Sequence, residues 1–236
     1  MNSDIIITSD STTDLSSDLK ARYGIEICPL GVTLGGKTYI DGVDITPDDI
    51  YAHHDKTGEL PKTSATNVGE CLDFFRKFTE SGKTVIHFTI SSEMSSTYAN
   101  ACLAAEELEN VYVINTENLS TGGGLLVVAA AQMREDGLSA EEIVEKTKAL
   151  VPCVDASFVI DSLEYLYKGG RCSALAMFGA NLLKLKPCIQ VKNGKMDVAK
   201  KYRGKYDEVL KQYIREKVTD YSDIVLDRVF ITHAGC

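Results

Sequence analysis

The sequence predicts an α/β fold with a mostly parallel sheet in its N-terminal part, on two observations. Short apolar runs rich in β-branched residues alternate with amphipathic stretches at helical spacing, the order that builds strand–helix–strand units. Clusters of Ser, Thr, Asp, Asn and Gly bound those runs, and these are the residues that turn a chain and cap helices. With 236 residues and a hydrophobic share of 44%, the chain can fill the core of one large domain or two modest ones.

Asp4 to Thr8 reads as the first strand, followed by a polar turn and a helix near Ser16 to Tyr23. Ile25 to Leu34 and Lys37 to Ile40 read as two strands joined at Gly35-Gly36. Thr46-Pro47-Asp48-Asp49 starts a helix with a cap, Pro at the first position and acids in the first turn. Pro61 to Thr66 reads as a polar segment ahead of a helix from Asn67 to Glu80, with Thr66 or Asn67 as its cap and Glu70 behind it. A strand from Thr84 to Ile90, a helix from Thr97 to Leu108 and a strand from Val111 to Asn115 follow. A long helix after Gly122-Gly123-Gly124 reaches Glu135, and another covers Ala140 to Leu150.

Ala156 to Ile160 opens a second unit, so the expected division is residues 1–155 and 156–236. This unit is expected to hold a helix ending at Gly169-Gly170 and one from Leu175 to Leu185 stopped by Pro187. A hairpin over Asn193-Gly194, a helix from Tyr206 to Val218 and a final strand from Val229 to Thr232 complete it. The sequence stops four residues past that strand, which suggests a missing C-terminal segment.

The formal net charge of −9 argues against a nucleic-acid partner, because phosphate binding needs clustered Lys and Arg. The local basic stretch at Lys200, Lys201, Arg203 and Lys205 reads as a solvated face. Seven widely spaced cysteines without a C-x-x-C pair fit neither a disulfide scaffold nor a zinc site. They read mostly as small buried hydrophobes in a reducing cytoplasm. The N-terminus lacks the basic and apolar regions of a signal peptide, and the apolar run Leu125 to Ala131 is too short to span a bilayer.

The chemistry is expected beyond the strand ends. In open parallel sheets, ligands bind in the crevice outside the carboxyl ends of the strands. Ser9 to Asp14, Ser91 to Thr97, and Thr116 with Ser120 and Thr121 all follow strands, and Lys62-Thr63-Ser64 precedes a helix. Capping explains one hydroxyl per helix, whereas Ser91 to Thr97 supplies five. Surplus hydroxyls beside a helix N-terminus suit an anion, and the absence of Lys and Arg from that loop favours a carboxylate over a polyphosphate.

Catalytic motifs are missing: there is no G-x-S-x-G, H-E-x-x-H or G-x-G-x-x-G. Gly31 to Thr38 matches a P-loop on paper, but strand-like residues follow it and its Gly-Gly suits a hairpin. His53 and His54 read as surface residues, His87 as a satisfied core residue, and His233 as a residue after a strand. Arg171, after Gly169-Gly170, is either simply solvated or presented at a tight corner toward an acid.

Taken in order, these motifs resemble the DegV family of bacterial fatty-acid-binding proteins. The resemblance runs from Asp10-Ser11-Thr12 through Lys62-Thr63-Ser64, Ile90-Ser91-Ser92, Ser95-Ser96-Thr97-Tyr98 and Leu163 to Arg171, then Leu182 to Pro187 and Arg203-Gly204. It implies two α/β domains with a long-chain fatty acid in the cleft between them, and Thr63 and Ser95 hydrogen-bonded to its carboxylate. Ser64, Ser96, Thr97 and Arg171 fall in the head-group neighbourhood by the same likeness. It further implies a non-catalytic carrier without metal or cofactor, which presents the acid to a separate fatty-acid kinase for acyl-phosphate formation. The alternative is a phosphotransferase or hydrolase acting on a small acid or phosphorylated metabolite. Two features depart from the family pattern: Ser96 stands where Gly is usual, and a His-Thr-Gly-Pro-Gly-type segment near the family's end has no counterpart.

Overall fold

Ile5–Asp10 forms β1, the strand around which the first part of the molecule is built. The computed structural model describes residues 4–161, 163–172, 185–219, 224–225 and 228–233. The chain divides into two units, Met1–Val154 and Asp155–Cys236.

In the first unit β1 is followed by a 3-10 turn (Ser11–Thr13), α1 (Ser17–Tyr23), β2 (Glu26–Cys28), β3 (Gly31–Leu34) and β4 (Lys37–Ile40). Next come α2 (Pro47–Thr57), β5 (Lys62–Ser64), α3 (Val68–Thr79), β6 (Thr84–Thr89) and α4 (Thr97–Ala105). β7 (Val111–Asn115), α5 (Ser120–Glu135) and α6 (Ala140–Leu150) complete it. Four strands make a parallel sheet in the order β2-β1-β6-β7. Its central strands are covered on both faces, so Ile7 in β1 and Val85, Ile86 and Phe88 in β6 are all fully buried. Val85 joins Cys71, Phe74 and Phe75 of α3 and Ala101 and Ala104 of α4 in one core cluster.

The expected strand from Ile25 to Leu34 is two strands in two sheets. Pro29 has no N–H to give to a ladder, so the run breaks there. β2 stays beside β1, while β3 leaves to centre a separate antiparallel sheet of order β4-β3-β5. Gly35 and Gly36 (φ +58° and +76°) close the β3–β4 hairpin, so the P-loop-like string is a turn. β5 was expected as a polar loop. Its three side chains are all exposed, so it carries no apolar alternation to signal a strand, and only pairing with β3 makes it one.

Two helices also depart from expectation. The three glycines do not precede α5 but lie in its first turns. A Cβ on Gly124 would sit 3.0 Å from both the Thr13 carbonyl oxygen and Leu15 Cδ2, so close approach requires glycine there. α4 stops at Ala105, ahead of Leu108, where Glu106 and Glu107 would meet the negative end of the helix dipole.

The second unit contains β8 (Ser157–Val159), α7 (Glu164–Gly169), β9 (Lys186–Lys192), β10 (Lys195–Tyr202) and α8 (Tyr206–Thr219). Its strands are antiparallel in the order β10-β9-β8, with the β9–β10 turn at Asn193 and Gly194 as expected. α8 packs Val209 against Val159, Cys188 and Tyr202. Pro187 lies at the start of β9, before the residues of β9 that pair with β8. The helix expected over 175–185 lies outside the described residues, Leu185 excepted, which is in neither helix nor strand. Val229 to Thr232 is described and forms no strand, so His233 does not follow one.

Among the described residues, no helix is long and apolar enough to cross a membrane. Cys28, Cys71, Cys172 and Cys188 are buried as expected, but Cys153 is exposed. Lys200, Lys201, Arg203 and Lys205 are exposed, a solvated face.

Candidate functional site

The carboxyl ends of β1, β6 and β7 are joined by side chains that replace the backbone ladder where it ends. Asp10 is fully buried at the end of β1. One of its oxygens accepts from the Thr12 hydroxyl (2.6 Å) and the Thr12 N–H (3.1 Å). The other accepts from the Ile90 N–H (2.7 Å), just past β6. Burial raises the Asp10 pKa above the ordinary carboxylate value despite these donors, which pull the other way. The next residues are held in turn: the Ser91 N–H donates to the Asn118 carbonyl (2.9 Å), and the Ser92 N–H to Asn115 Oδ1 (3.2 Å). Sequence reasoning quoted Asp10 in a motif but gave it no role, and it passed over Asn115. Both were legible only as generic strand-end polar residues.

The loop so anchored delivers Ser95, Ser96 and Thr97 to the start of α4. The Ser91 carbonyl accepts from the Met94 and Ser95 N–H groups (3.0 and 3.2 Å), closing a turn. Ser95, half-buried, accepts from the Thr97 N–H (3.2 Å), and its hydroxyl lies 2.8 Å from that of Thr97. Thr97 is fully buried. Ser96 occupies the cap position but makes no side-chain cap bond and is exposed. The first-turn N–H groups of Tyr98 and Ala99 meet no acceptor among the described residues. A half-buried hydroxyl and unpaired N–H groups at the positive end of a nine-residue helix therefore lie together.

Thr63 and Ser64 sit on β5, paired with Val32 and Gly31 of β3. Ser64 donates its hydroxyl to the Gly31 carbonyl (3.4 Å), and a Cβ at Gly31 would stand 2.5 Å from Ser64 Oγ. Thr63 projects to the opposite face of the strand, exposed, and its hydroxyl has no hydrogen bond among the described residues. β5 is tied to α4 through the segment that follows it. Asn100 Nδ2 donates to the Thr66 carbonyl (2.9 Å), and the Thr66 hydroxyl donates to the Pro29 carbonyl (3.5 Å) at the end of β2. Thr66 is three steps along the chain from Thr63, a reach of at most about 11 Å. The segment that follows Thr63 is thus tied to α4 and to the end of β2, and no hydrogen bond joins Thr63 to Ser95.

Arg171 lies in the second unit. Gly170 (φ +72°) ends α7, its N–H on the Tyr167 carbonyl, and the exposed Arg171 donates Nη1 to the Gly169 carbonyl (2.7 Å). The turn therefore uses one guanidinium N–H to fix the side chain against its own backbone.

His87 supports this end from inside β6. Its Nδ1 lies 2.8 Å from the Thr8 hydroxyl, while Nε2 has no partner among the described residues. Burial pushes its pKa down to about 3, so the ring is neutral. It is a core residue as expected, but satisfied on one nitrogen only. His53 and His54 are half-buried on α2, and His53 meets Glu59 at 3.1 Å. Among the described residues no group of His, Cys, Asp and Glu is arranged to hold a metal ion.

Comparison with known proteins finds a match over residues 4–236 to the family model described as the uncharacterised DegV family. A DegV domain-containing protein of Clostridium acetobutylicum is 38% identical over 202 residues, 85% of this chain and 72% of that protein. A structure of a DegV family protein from Thermus thermophilus, described by its fatty acid binding, superposes with a TM-score of 0.80 at 32% identity, covering 89% of this chain and 77% of that one. A stearic acid-binding protein from Eubacterium ventriosum gives 0.79 at 34% identity, over 91% and 78%.

Proposed function

The chain belongs to the DegV family, and from that premise we propose that it binds a long-chain fatty acid whose carboxylate is held by Thr63 and Ser95. The observation that carries this reading is the donor set at the start of α4, where the Ser95 hydroxyl stands beside the unpaired N–H groups of Tyr98 and Ala99. A buried carboxylate is costly unless several donors meet it, and a helix N-terminus with two hydroxyls provides them. Burial of the acyl tail contributes about 0.8 kcal/mol per methylene before ordering costs, so the tail supplies affinity and the donors select the acid. The fatty-acid-binding descriptions of the Thermus and Eubacterium proteins support the same ligand class.

In this reading the protein is a cytoplasmic carrier, made of domains at residues 1–155 and 156–236, and Arg171 serves the head group or the partner's docking face. It presents the acid to a separate kinase that forms the acyl phosphate, and the site itself supplies only hydrogen-bond donors. Organic extraction of the purified protein followed by mass spectrometry is expected to release a long-chain acid. Delipidated protein that ignores C14–C18 acids in calorimetry would refute the reading. Thr63→Ala with Ser95→Ala is expected to weaken acids more than the matching alcohols, and equal loss for both would remove the head-group assignment.

A further inference from the structure

We propose that Thr97 is a positioning residue that fixes the Ser95 hydroxyl as a donor only, making the site selective for an ionised acid. This rests on the reading above that Ser95 meets the ligand's carboxylate. A serine hydroxyl has one hydrogen and two lone pairs. The Thr97 N–H already donates to Ser95 Oγ at 3.2 Å, and the two hydroxyl oxygens are 2.8 Å apart. The direction of that second bond follows from burial.

Thr97 has no exposed surface, and Ser95 Oγ is the partner of its hydroxyl among the described residues. If Ser95 donated, the Thr97 hydrogen would be stranded in the interior, an arrangement folded proteins avoid. Thr97 therefore donates, and Ser95 Oγ accepts twice. Both its lone pairs are filled, so only its own hydrogen remains for a ligand. The neighbouring groups at this end of α4, the Tyr98 and Ala99 N–H groups, are donors as well. A head group that accepts through every atom fits this surface, whereas one that must donate a proton finds no acceptor at Ser95. Thr97 itself is too buried to touch the ligand and acts through Ser95.

The test uses the full chain with Thr97→Val, which keeps the shape and the backbone N–H but removes the hydroxyl, and Thr97→Ser, which restores it. Palmitic acid and 1-hexadecanol are the probes in calorimetry, with thermal melts to establish folding. The wild type is expected to prefer the acid, Thr97→Val to lose on the order of tenfold of that preference, and Thr97→Ser to recover it. An unchanged preference in folded Thr97→Val would overturn the proposal. If the wild type binds neither probe, the fatty-acid reading fails, yet the hydroxyl direction is still decided in ligand-free protein by NMR. A Thr97 hydroxyl proton protected from exchange and close to Ser95 supports it, and a freely exchanging one overturns it.

Discussion

Acidification from pH 7 to pH 4.5 acts on the first unit through His87. In the folded chain the ring is fully buried among Phe74 and Phe75, one nitrogen on Thr8 and the other without a partner among the described residues. Placing the proton on Nδ1 lets the ring donate to Thr8, whose own hydroxyl turns to the Ile86 carbonyl at 3.5 Å. Nε2 is then a bare acceptor, cheaper to leave unpaired than a buried N–H. The folded pKa is about 3 against an ordinary 6.5. Between these values the unfolded chain binds a proton that the folded chain refuses, so this stability is complete above pH 6.5 and is lost as pH falls.

Two pH units below 6.5 the loss is about 3 kcal/mol, at about 1.4 kcal/mol per unit. For a unit of this size that corresponds to a fall in Tm of roughly 6–12 °C. Asp10 works in the opposite sense. Its raised pKa costs stability as pH climbs through the folded value, so acidification relieves it. The readout is therefore the difference in pH slope between wild type and His87→Asn, whose amide can still partner Thr8. Chemical denaturation across pH 4.5–7 is expected to show a steeper acid loss in the wild type. Parallel slopes for the two proteins would refute the buried neutral histidine.

Asp10→Asn can satisfy only part of the three-donor set of Thr12 and Ile90. It is expected to cost about 1–3 kcal/mol and to speed amide exchange from Ile90 to Ser95; unchanged exchange in that loop would count against the clip. Gly124→Ala is expected to destabilise by about 1–3 kcal/mol, outweighing the roughly 1 kcal/mol helix gain from Ala, because its Cβ would meet the Thr13 backbone; a higher Tm would contradict this. Gly123→Ala meets only contacts of 3.4–3.5 Å and is expected to be neutral or stabilising in the same melt. In the second unit, hydrogen bonds from Lys200, Tyr202 and Gln212 hold Glu216 at about 2, below the ordinary 4.5. Its contribution is present above pH 4.5 and lost as pH falls toward 2, so Glu216→Gln is expected to flatten that part of the acid-unfolding curve.

The sequence by itself determined the parallel core and the crowd of hydroxyls beyond its strands. β1, β6 and β7 are short apolar runs, and local composition is sufficient to specify them. Caps such as Thr46 and Asn67 and the turns at Gly35-Gly36 and Asn193-Gly194 are equally local, so they too could be read directly. Long-range pairing was not legible. β5 is a strand only because β3 lies beside it, and the α5 glycines are explained only by the approach of Thr13 and Leu15. At the site, sequence named Thr63, Ser95 and Thr97 but not which hydroxyl holds which. Tertiary structure buried Thr97 beneath Ser95, gave Asp10 to the Ile90 amide and tied the β5 segment to α4 through Asn100. Hydroxyls look alike along a chain, and it is burial and the partners in reach that decide which of them are structural and which are left to meet a ligand.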